Sequence, residues 1–149
     1  MPKVLEKILC PVGFDRNSAA AVEFACELAE PNRSTLYLLH VVSVPRMERI
    51  LLEPSPVFTE GIATRELEKL AQQHVAANVA HRIVVRTGDP AALIVVVAEE
   101  LEVDLILMPT HGDQGIVHMI MGSVAERVVR EAKRHVLTVR PGLRGTSTT

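Results

Sequence analysis

The sequence predicts an α/β fold: an open, five-stranded parallel sheet with helices on both faces. Five short, apolar and β-branched segments alternate with helical patterns along the chain, an order that calls for right-handed crossovers between parallel strands. The strand segments are continuously apolar, as in a sheet covered on both sides. The chain has 149 residues, 48% hydrophobic and 23% charged, which suits one domain with one sizeable core. We expect a domain over residues 1–141 and a poorly ordered polar tail over residues 142–149.

The first part of the chain predicts a strand, a helix and a second strand. Within residues 4–12, a short apolar run that stops before Pro11 predicts a buried strand. Asp15 suits a helix N-cap, and the apolar stripe over residues 19–29 predicts a helix that ends at Pro31. Residues 34–44, STLYLLHVVSV, predict a second buried strand because they are too continuously apolar for a surface strand.

The remainder predicts three further strands and three helices. Residues 45–57 contain three prolines and no helical or strand period, which predicts a long surface loop. The apolar spacing from Thr59 to near Asn78 predicts an amphipathic helix. Asp89 before Pro90 is typical of a helix start. The other predicted elements are a strand over 82–86, a helix over 91–100, a strand over 105–108, a helix over 124–133 and a strand over 136–140.

Charge and cysteine content exclude several classes of protein. There are 16 basic and 18 acidic residues, a formal net charge of -2 and no basic run, so we expect no nucleic-acid partner. Cys10 and Cys26 lie among apolar neighbours, which predicts buried, reduced thiols. No apolar run reaches the roughly 18 residues of a spanning helix, and the N-terminus lacks the apolar core of a signal peptide. We expect a soluble, cytoplasmic protein without a membrane partner.

The candidate site lies in residues 104–130, DLILMPTHGDQGIVHMIMGSVAERVVR. An apolar strand, a glycine-bearing loop and a helix start follow one another there. This order builds anion sites, because glycines let backbone N–H groups approach a phosphate and a helix N-terminus supplies unpaired donors. Backbone N–H groups around Gly112 and Gly122, with the Ser123 hydroxyl, would surround a di- or triphosphate. The stretch lacks the lysine of a P-loop, so that mechanism is not assigned.

A purely structural explanation of the helix start is also open. Ser123 and Glu126 have the spacing of a capping box, in which the Ser123 hydroxyl caps the last helix and Glu126 closes the remaining N–H. That explanation leaves Gly112 and Gly115 unexplained, in a connection longer than the usual two to six residues or so.

Two turns are expected to form one crevice. In open parallel sheets, ligands bind beyond the carboxyl ends of strands, where successive connections diverge to opposite faces. Residues 11–15 follow the first predicted strand, and residues 109–122 follow the fourth. If those strands are neighbours, both turns line the same crevice.

Thr110-His111-Gly112, followed after nine residues by Gly122-Ser123, resembles the signature of the universal stress protein (UspA-like) family. ATP-binding members of that family carry G-x-x-G, nine residues and then G-[ST]. The resemblance extends across the whole chain, because four further segments resemble family segments in the same order: KILCPVGFD, LLHVVSV, RTGDPAALIV and HVLTVRP. It implies a Rossmann-like, adenine nucleotide alpha hydrolase-like fold, usually homodimeric, that binds ATP in one branch of the family and not in another.

Carried over by position, the resemblance implies an adenine-nucleotide site with these residues: Pro11, Val12, Gly13, Asp15, Val41, Met108, Pro109, Thr110, His111, Gly112, Gly115, Gly122, Ser123 and Val124. Gly112, Gly122 and Ser123 fall on phosphate-binding positions. Pro11 and Val41 fall where the family surrounds adenine and ribose, as does Val12. Mg²⁺ would accompany the nucleotide, and no catalytic residue or metal ligand of the protein itself is assigned.

Three positions depart from the family pattern. Pro109 replaces the first glycine of the signature and has no N–H to donate. Gly13 stands where ATP-binding relatives place an acidic residue. Asp113 stands where a basic residue is common, and its carboxylate repels phosphates unless a cation intervenes. These departures support an alternative function, a nucleotide-independent, dimeric interaction module.

The leading hypothesis is an ATP-binding sensor or regulator in the stress response, with at most slow hydrolysis. The sequence shows no P-loop lysine, evident base or arginine finger for phosphoryl transfer, which makes a true ATP-hydrolysing enzyme the weakest of the three hypotheses. The terminal strand, Arg134 to Arg140, is apolar at its centre. At a sheet edge it would need a cover, and pairing with its twofold mate predicts a homodimer.

Overall fold

The computed structural model describes residues 4–43, 56–110 and 121–140. Strands and helices alternate there in the predicted order: β1 (Lys7–Pro11), α1 (Arg16–Asn32), β2 (Thr35–Ser43), α2 (Pro56–His74), β3 (Ala80–Gly88), α3 (Pro90–Leu101), β4 (Leu105–Pro109), α4 (Ser123–Glu131) and β5 (His135–Val139). Within these three ranges, no helix combines the length and apolar character needed to cross a bilayer.

The strands form one parallel sheet in the order β3-β2-β1-β4-β5. β1 pairs with β2 along one edge and with β4 along the other, so the strand order reverses between β1 and β4. This confirms the predicted parallel sheet, and it meets the condition under which the turns after the first and fourth strands line one crevice. β5 lies at an edge of the sheet, as expected.

Two apolar cores cover the faces of the sheet. The α1–α2 core lies against α1 and α2 and includes Ile8, Cys10, Val22, Ala25, Leu36, Leu38 and Leu67. The α3–α4 core lies against α3 and α4 and includes Leu9, Leu39, Ile94, Val97, Ile106, Met108, Ala125 and Val128. Successive strand residues point to opposite faces, so Ile8 and Leu9 enter different cores and both are fully buried. This is why the strand sequences are continuously apolar.

Helix α2 starts and ends earlier than predicted. It begins at Pro56, inside the predicted loop over residues 45–57, because a first-turn proline loses no intrahelical hydrogen bond. It ends at His74, before the predicted Asn78, whose side-chain amide donates to Glu30 of α1 instead. The rest of the predicted loop and the predicted tail lie outside the described residues.

Other boundaries also shift by a few residues. Strand β3 covers Ala80–Gly88 rather than 82–86, because it pairs with β2 along its whole length. Helix α4 ends at Glu131 rather than near residue 133, since Ala132 has extended dihedrals, φ -67° and ψ 143°. Strand β5 begins at His135, one residue before the predicted start.

Aspartates cap α1 and α3 as predicted. Asp15 Oδ1 accepts a hydrogen bond from the Ser18 N–H at 2.8 Å. Asp89 Oδ2 accepts one from the Ala92 N–H at 3.0 Å, and Pro90 begins α3. Each cap pairs one of the donors that a helix start leaves free.

Asp104 joins the amino ends of β1 and β4. Its Oδ2 accepts hydrogen bonds from the N–H groups of Glu6 at 2.8 Å and Lys7 at 3.0 Å. Lys7 Nζ donates to the Leu101 carbonyl at 3.0 Å. The centre of the sheet is therefore held at the end opposite the crevice.

Gly61, inside α2, offers a stabilising substitution. The residue is exposed, and a Cβ placed there would meet no heavy atom within 4 Å. Alanine is favoured over glycine in a helix interior by roughly 0.5–1 kcal/mol. We expect Gly61→Ala to raise the free energy of unfolding by about that amount in urea titrations. An unchanged or lower unfolding midpoint would contradict this prediction.

Cys10 and Cys26 are buried free thiols, as the sequence predicted. Burial raises the pKa of both thiols, and the nearby Cys26 raises that of Cys10 further. A hydrogen bond to the backbone of Ala76 partly opposes the rise of the pKa at Cys26.

These thiols predict a loss of stability in alkali. Above the ordinary thiol pKa of 9.0, the unfolded chain releases protons that the folded chain keeps. The contribution of the buried thiols to the free energy of unfolding is therefore complete below pH 9.0 and declines above it. The decline is at most about 1.4 kcal/mol per thiol for each pH unit. Urea unfolding between pH 8 and pH 10.5 measures the decline, and Cys10→Ala should make it shallower. Equal slopes for the two proteins would contradict the prediction.

Candidate functional site

The candidate site lies where the carboxyl ends of β1 and β4 adjoin. One hydrogen bond continues the sheet beyond each strand: the Val12 N–H donates to the Leu39 carbonyl at 2.8 Å, and the Thr110 N–H donates to the Val139 carbonyl at 3.0 Å. Both turns therefore leave the sheet at the same edge and border one crevice.

Strand alternation divides the predicted site residues between the two faces. Met108 belongs to the α3–α4 core and Val41 packs against it, whereas Val12 belongs to the α1–α2 core. By the same alternation, Pro11 and Thr110 face the α3–α4 side. Val41, Met108 and Thr110 thus lie on the same face of the sheet, the face that α3 and α4 cover.

Gly13 and Asp15 are linked through the cap of α1. The Gly13 N–H donates to Ser18 Oγ at 2.8 Å. Asp15 Oδ2 lies 3.2 Å from the position of a Cβ built on Gly13. A side chain at position 13 would crowd the Asp15 carboxylate, and an acidic one would also be repelled by it. Glycine at position 13 therefore leaves room for the Asp15 carboxylate, which caps the start of α1.

Helix α4 does not begin with the capping box that Ser123 and Glu126 suggested. Gly122 is the N-cap, with φ -73° and ψ 167°, and its carbonyl accepts from the Glu126 N–H at 2.9 Å. Ser123 is the first helical residue and no described side chain caps the helix, so the capping role of Ser123 is wrong. The Glu126 carboxylate instead accepts from Arg130 Nη1 at 2.9 Å. Among the described residues, no acceptor pairs with the first-turn N–H groups of α4.

A short backbone hydrogen bond joins α4 to β4. The Gly122 N–H donates to the Thr110 carbonyl at 2.6 Å, which holds the helix start beside the strand end. Pro109 is the last residue of β4 and pairs with Val139 of β5. Exposed Ser123 and Val124 begin α4. The predicted site residues His111, Gly112 and Gly115, together with Asp113, lie outside the described residues.

Ion pairs link α3 to α4 and to the segment that follows α4. Arg127 Nη1 lies 2.9 Å from Asp89 Oδ2, the carboxylate that also caps α3. The negative charge of Asp89, with a smaller contribution from Glu131, raises the pKa of Arg127. Arg134 Nη2 lies 2.9 Å from Glu99 Oε2 of α3. Arg127 thus links α4 to the start of α3, and Arg134, which lies between α4 and β5, links that segment to α3.

Sequence reasoning missed the Phe14–His40 pair. The two rings stack with centroids 4.4 Å apart, and His40 Nδ1 donates to the Val12 carbonyl at 2.8 Å. The pair supports the turn after β1 and was signalled only by a histidine within an apolar strand. Phe14 also lines a groove of about 570 Å³ between α1 and α2, on the other face from Met108. Among the described side chains, no cluster of three metal-ligating groups forms.

The end of β4 and the start of α4 thus lie side by side, as the two ends of the signature in residues 110–123 require. The sequence profile of the Universal stress protein family matches residues 5–140. The chain belongs to the universal stress protein family. A universal stress protein of Methanothermobacter thermautotrophicus is 43% identical over 146 residues, which cover 94% of this chain and 99% of that relative.

Solved structures of this family share the fold. The hypothetical protein MJ0577 of Methanocaldococcus jannaschii superposes with a TM-score of 0.79 at 23% identity, over 92% of this chain and 96% of that one. A universal stress protein in complex with cAMP superposes with a TM-score of 0.67 at 22% identity, over 92% of this chain and 98% of that one. The universal stress protein from Archaeoglobus fulgidus in complex with dAMP superposes with a TM-score of 0.54 at 22% identity, over 91% of this chain and 98% of that one. These likenesses confirm the predicted Rossmann-like fold.

Proposed function

We propose that this universal stress protein binds ATP or a related adenine nucleotide in the crevice between β1 and β4, and acts as a sensor or regulator in the stress response. The observation that carries the proposal is the start of α4, which no described side chain caps and which the hydrogen bond from Gly122 to Thr110 holds beside the end of β4. A helix N-terminus in this position suits a phosphate, because its free N–H groups and its dipole both favour an anion.

An apolar wall supports the choice of an adenine base. Val41 and Met108 lie on the face of the sheet that α4 covers, and strand alternation places Pro11 on the same face. A thioether and branched apolar side chains adapt to the flat surface of a purine ring. Two relatives of the same fold were solved with cAMP and with dAMP, which supports an adenine nucleotide as the ligand.

The two described ends of the connection between β4 and α4 favour binding with at most slow hydrolysis. Residues 105–110 and 121–125 contain no lysine, arginine, histidine or carboxylate. The charged groups that stabilise phosphoryl transfer are thus missing from these two segments. Any Mg²⁺ would arrive with the nucleotide, held by its phosphates.

Two measurements test the proposal. Mass spectrometry of small molecules released from freshly purified protein should detect an adenine nucleotide. Calorimetry on protein freed of ligand should then show saturable binding of Mg-ATP or AMP. If neither experiment gives a signal, the proposal is wrong and the interaction module becomes the better explanation.

A nucleotide-independent, dimeric interaction module is the second candidate. It is favoured by the sheet edge at β5, where Val136 to Val139 remain only half-buried in the single chain. We propose that residues 134–140 pair with the same strand of a second copy, which would cover this edge under either function. Light scattering at micromolar concentration should give the mass of a dimer, and a monomeric mass would overturn the pairing.

We also propose a cytoplasmic location, supported by the two free thiols.

A further inference from the structure

The hydroxyl of Thr110 is buried without a hydrogen-bond partner in the described part of the chain. The residue is 4% exposed. Its backbone groups are both paired, the N–H with the Val139 carbonyl at 3.0 Å and the carbonyl with the Gly122 N–H at 2.6 Å. A buried hydroxyl without a partner is costly, and native proteins pair such groups with protein, water or ligand.

The other buried polar side chains of the described ranges, Ser18 and Ser34, are satisfied. Ser18 Oγ accepts from the Gly13 N–H at 2.8 Å. Ser34 Oγ donates to the Leu5 carbonyl at 2.7 Å. Both serines stabilise turns of the fold, whereas the Thr110 hydroxyl stabilises no described contact.

The position of Thr110 directs its side chain to the start of α4. Thr110 directly follows β4, and the hydrogen bond from its N–H to Val139 of β5 continues the pairing of these two strands by one residue. Strand alternation therefore places its side chain on the same face as Ile106 and Met108. That face is covered by Ala125 and Val128 of α4. The hydroxyl therefore lies beside the first turn of this helix.

The same turn offers backbone donors. The first intrahelical hydrogen bond of α4 runs from the Glu126 N–H to the Gly122 carbonyl, so the N–H groups of Ser123, Val124 and Ala125 precede it and have no acceptor within the helix. A nine-residue helix presents these donors with the positive end of its dipole. A group with several anionic oxygens would satisfy both the N–H groups and the hydroxyl.

We propose that Thr110 Oγ1 donates a hydrogen bond to a phosphate oxygen of the nucleotide at the start of α4, and so makes the site select ligands that carry a phosphate there. The inference rests on the proposed function and adds to it a direct contact and a basis for specificity. Adenosine, which has no phosphate, would leave the Thr110 hydroxyl unpaired.

Thr110→Val and Thr110→Ser form a matched pair for the test. Valine keeps the shape of threonine and removes the hydroxyl, whereas serine keeps the hydroxyl. We expect Thr110→Val to weaken the binding of AMP and of Mg-ATP by about tenfold, with adenosine binding unchanged. Thr110→Ser should bind like the wild type. Without ligand, Thr110→Val should raise the melting temperature by about 2–4 °C, because an unpaired buried hydroxyl has been removed.

The outcomes separate this inference from the proposed function. If the wild type binds AMP or Mg-ATP and Thr110→Val binds them equally well, the Thr110 contact is wrong and the proposed function stands. If the wild type binds neither nucleotide nor inorganic phosphate, both are overturned. If the wild type binds inorganic phosphate but neither nucleotide, and Thr110→Val loses this binding, the Thr110 contact is supported. The proposal that the phosphate belongs to a nucleotide is then wrong. A lower melting temperature of ligand-free Thr110→Val would show that the hydroxyl already has a protein partner and would overturn the contact.

Discussion

Replacing Gly122 by valine is expected to abolish nucleotide binding, with a loss of affinity of at least about 100-fold, or roughly 2.7 kcal/mol. Gly122 is the N-cap of α4, so a branched side chain there would stand beside the N–H groups that the helix start offers to a phosphate. The ligand would lose these donors without any change in the rest of the crevice. Calorimetric titration with Mg-ATP measures the effect.

The fold should survive this substitution. Gly122 has φ -73° and ψ 167°, a conformation that valine adopts without strain. Gly61→Val is the matched control, because it adds the same side chain at an exposed position of α2 where a Cβ meets nothing within 4 Å. The control should bind Mg-ATP like the wild type. Binding by Gly122→Val within a few-fold of the control would exclude the start of α4 as the phosphate site.

Gly88→Ala is expected to lower the free energy of unfolding by about 2–3 kcal/mol. Gly88 ends β3 with φ +152°, a conformation that residues with a side chain rarely adopt, and an added Cβ would lie 2.8 Å from Leu93 Cδ1. The change therefore introduces both backbone strain and a steric conflict. Thermal unfolding should show a decrease in melting temperature of about 4–10 °C for a chain of this size.

A double-mutant cycle with Leu93→Ala separates the two causes. Leu93→Ala removes Cδ1 and leaves the backbone at Gly88 unchanged. We expect Gly88→Ala to cost less stability in the Leu93→Ala background, with the remaining cost due to the positive φ. Equal stability of Gly88→Ala and the wild type would mean that position 88 does not hold this conformation in solution.

Local patterns were sufficient to predict most of the architecture. Continuous apolar runs identified the strands because each strand is buried on both faces, and Asp15 and Asp89 identified two helix starts because capping needs only neighbouring residues. The length of β3 was underestimated because it depends on pairing with β2, a contact between distant segments.

The site was predictable only in part, for the same reason. Ser123 and Glu126 have capping-box spacing, yet the hydrogen bond from Gly122 to Thr110 sets where α4 begins. The unpaired hydroxyl of Thr110 has no local signal, because it depends on which elements cover the end of β4. The predicted roles of His111, Gly112 and Gly115 stay predictions, since these residues lie outside the described ranges.

The strand pairing that Asp104 holds has a consequence for protein synthesis. Lys7 and Asp104 are 97 positions apart, so β4 is synthesised long after β1. The delay is about two-thirds of translation, roughly 5–20 s at typical elongation rates. During that time the nascent chain carries a central apolar strand with one unpaired edge, which is open to wrong partners. The crevice does not exist on the ribosome until β4 has emerged, so chains truncated before residue 105 should have no binding site at all.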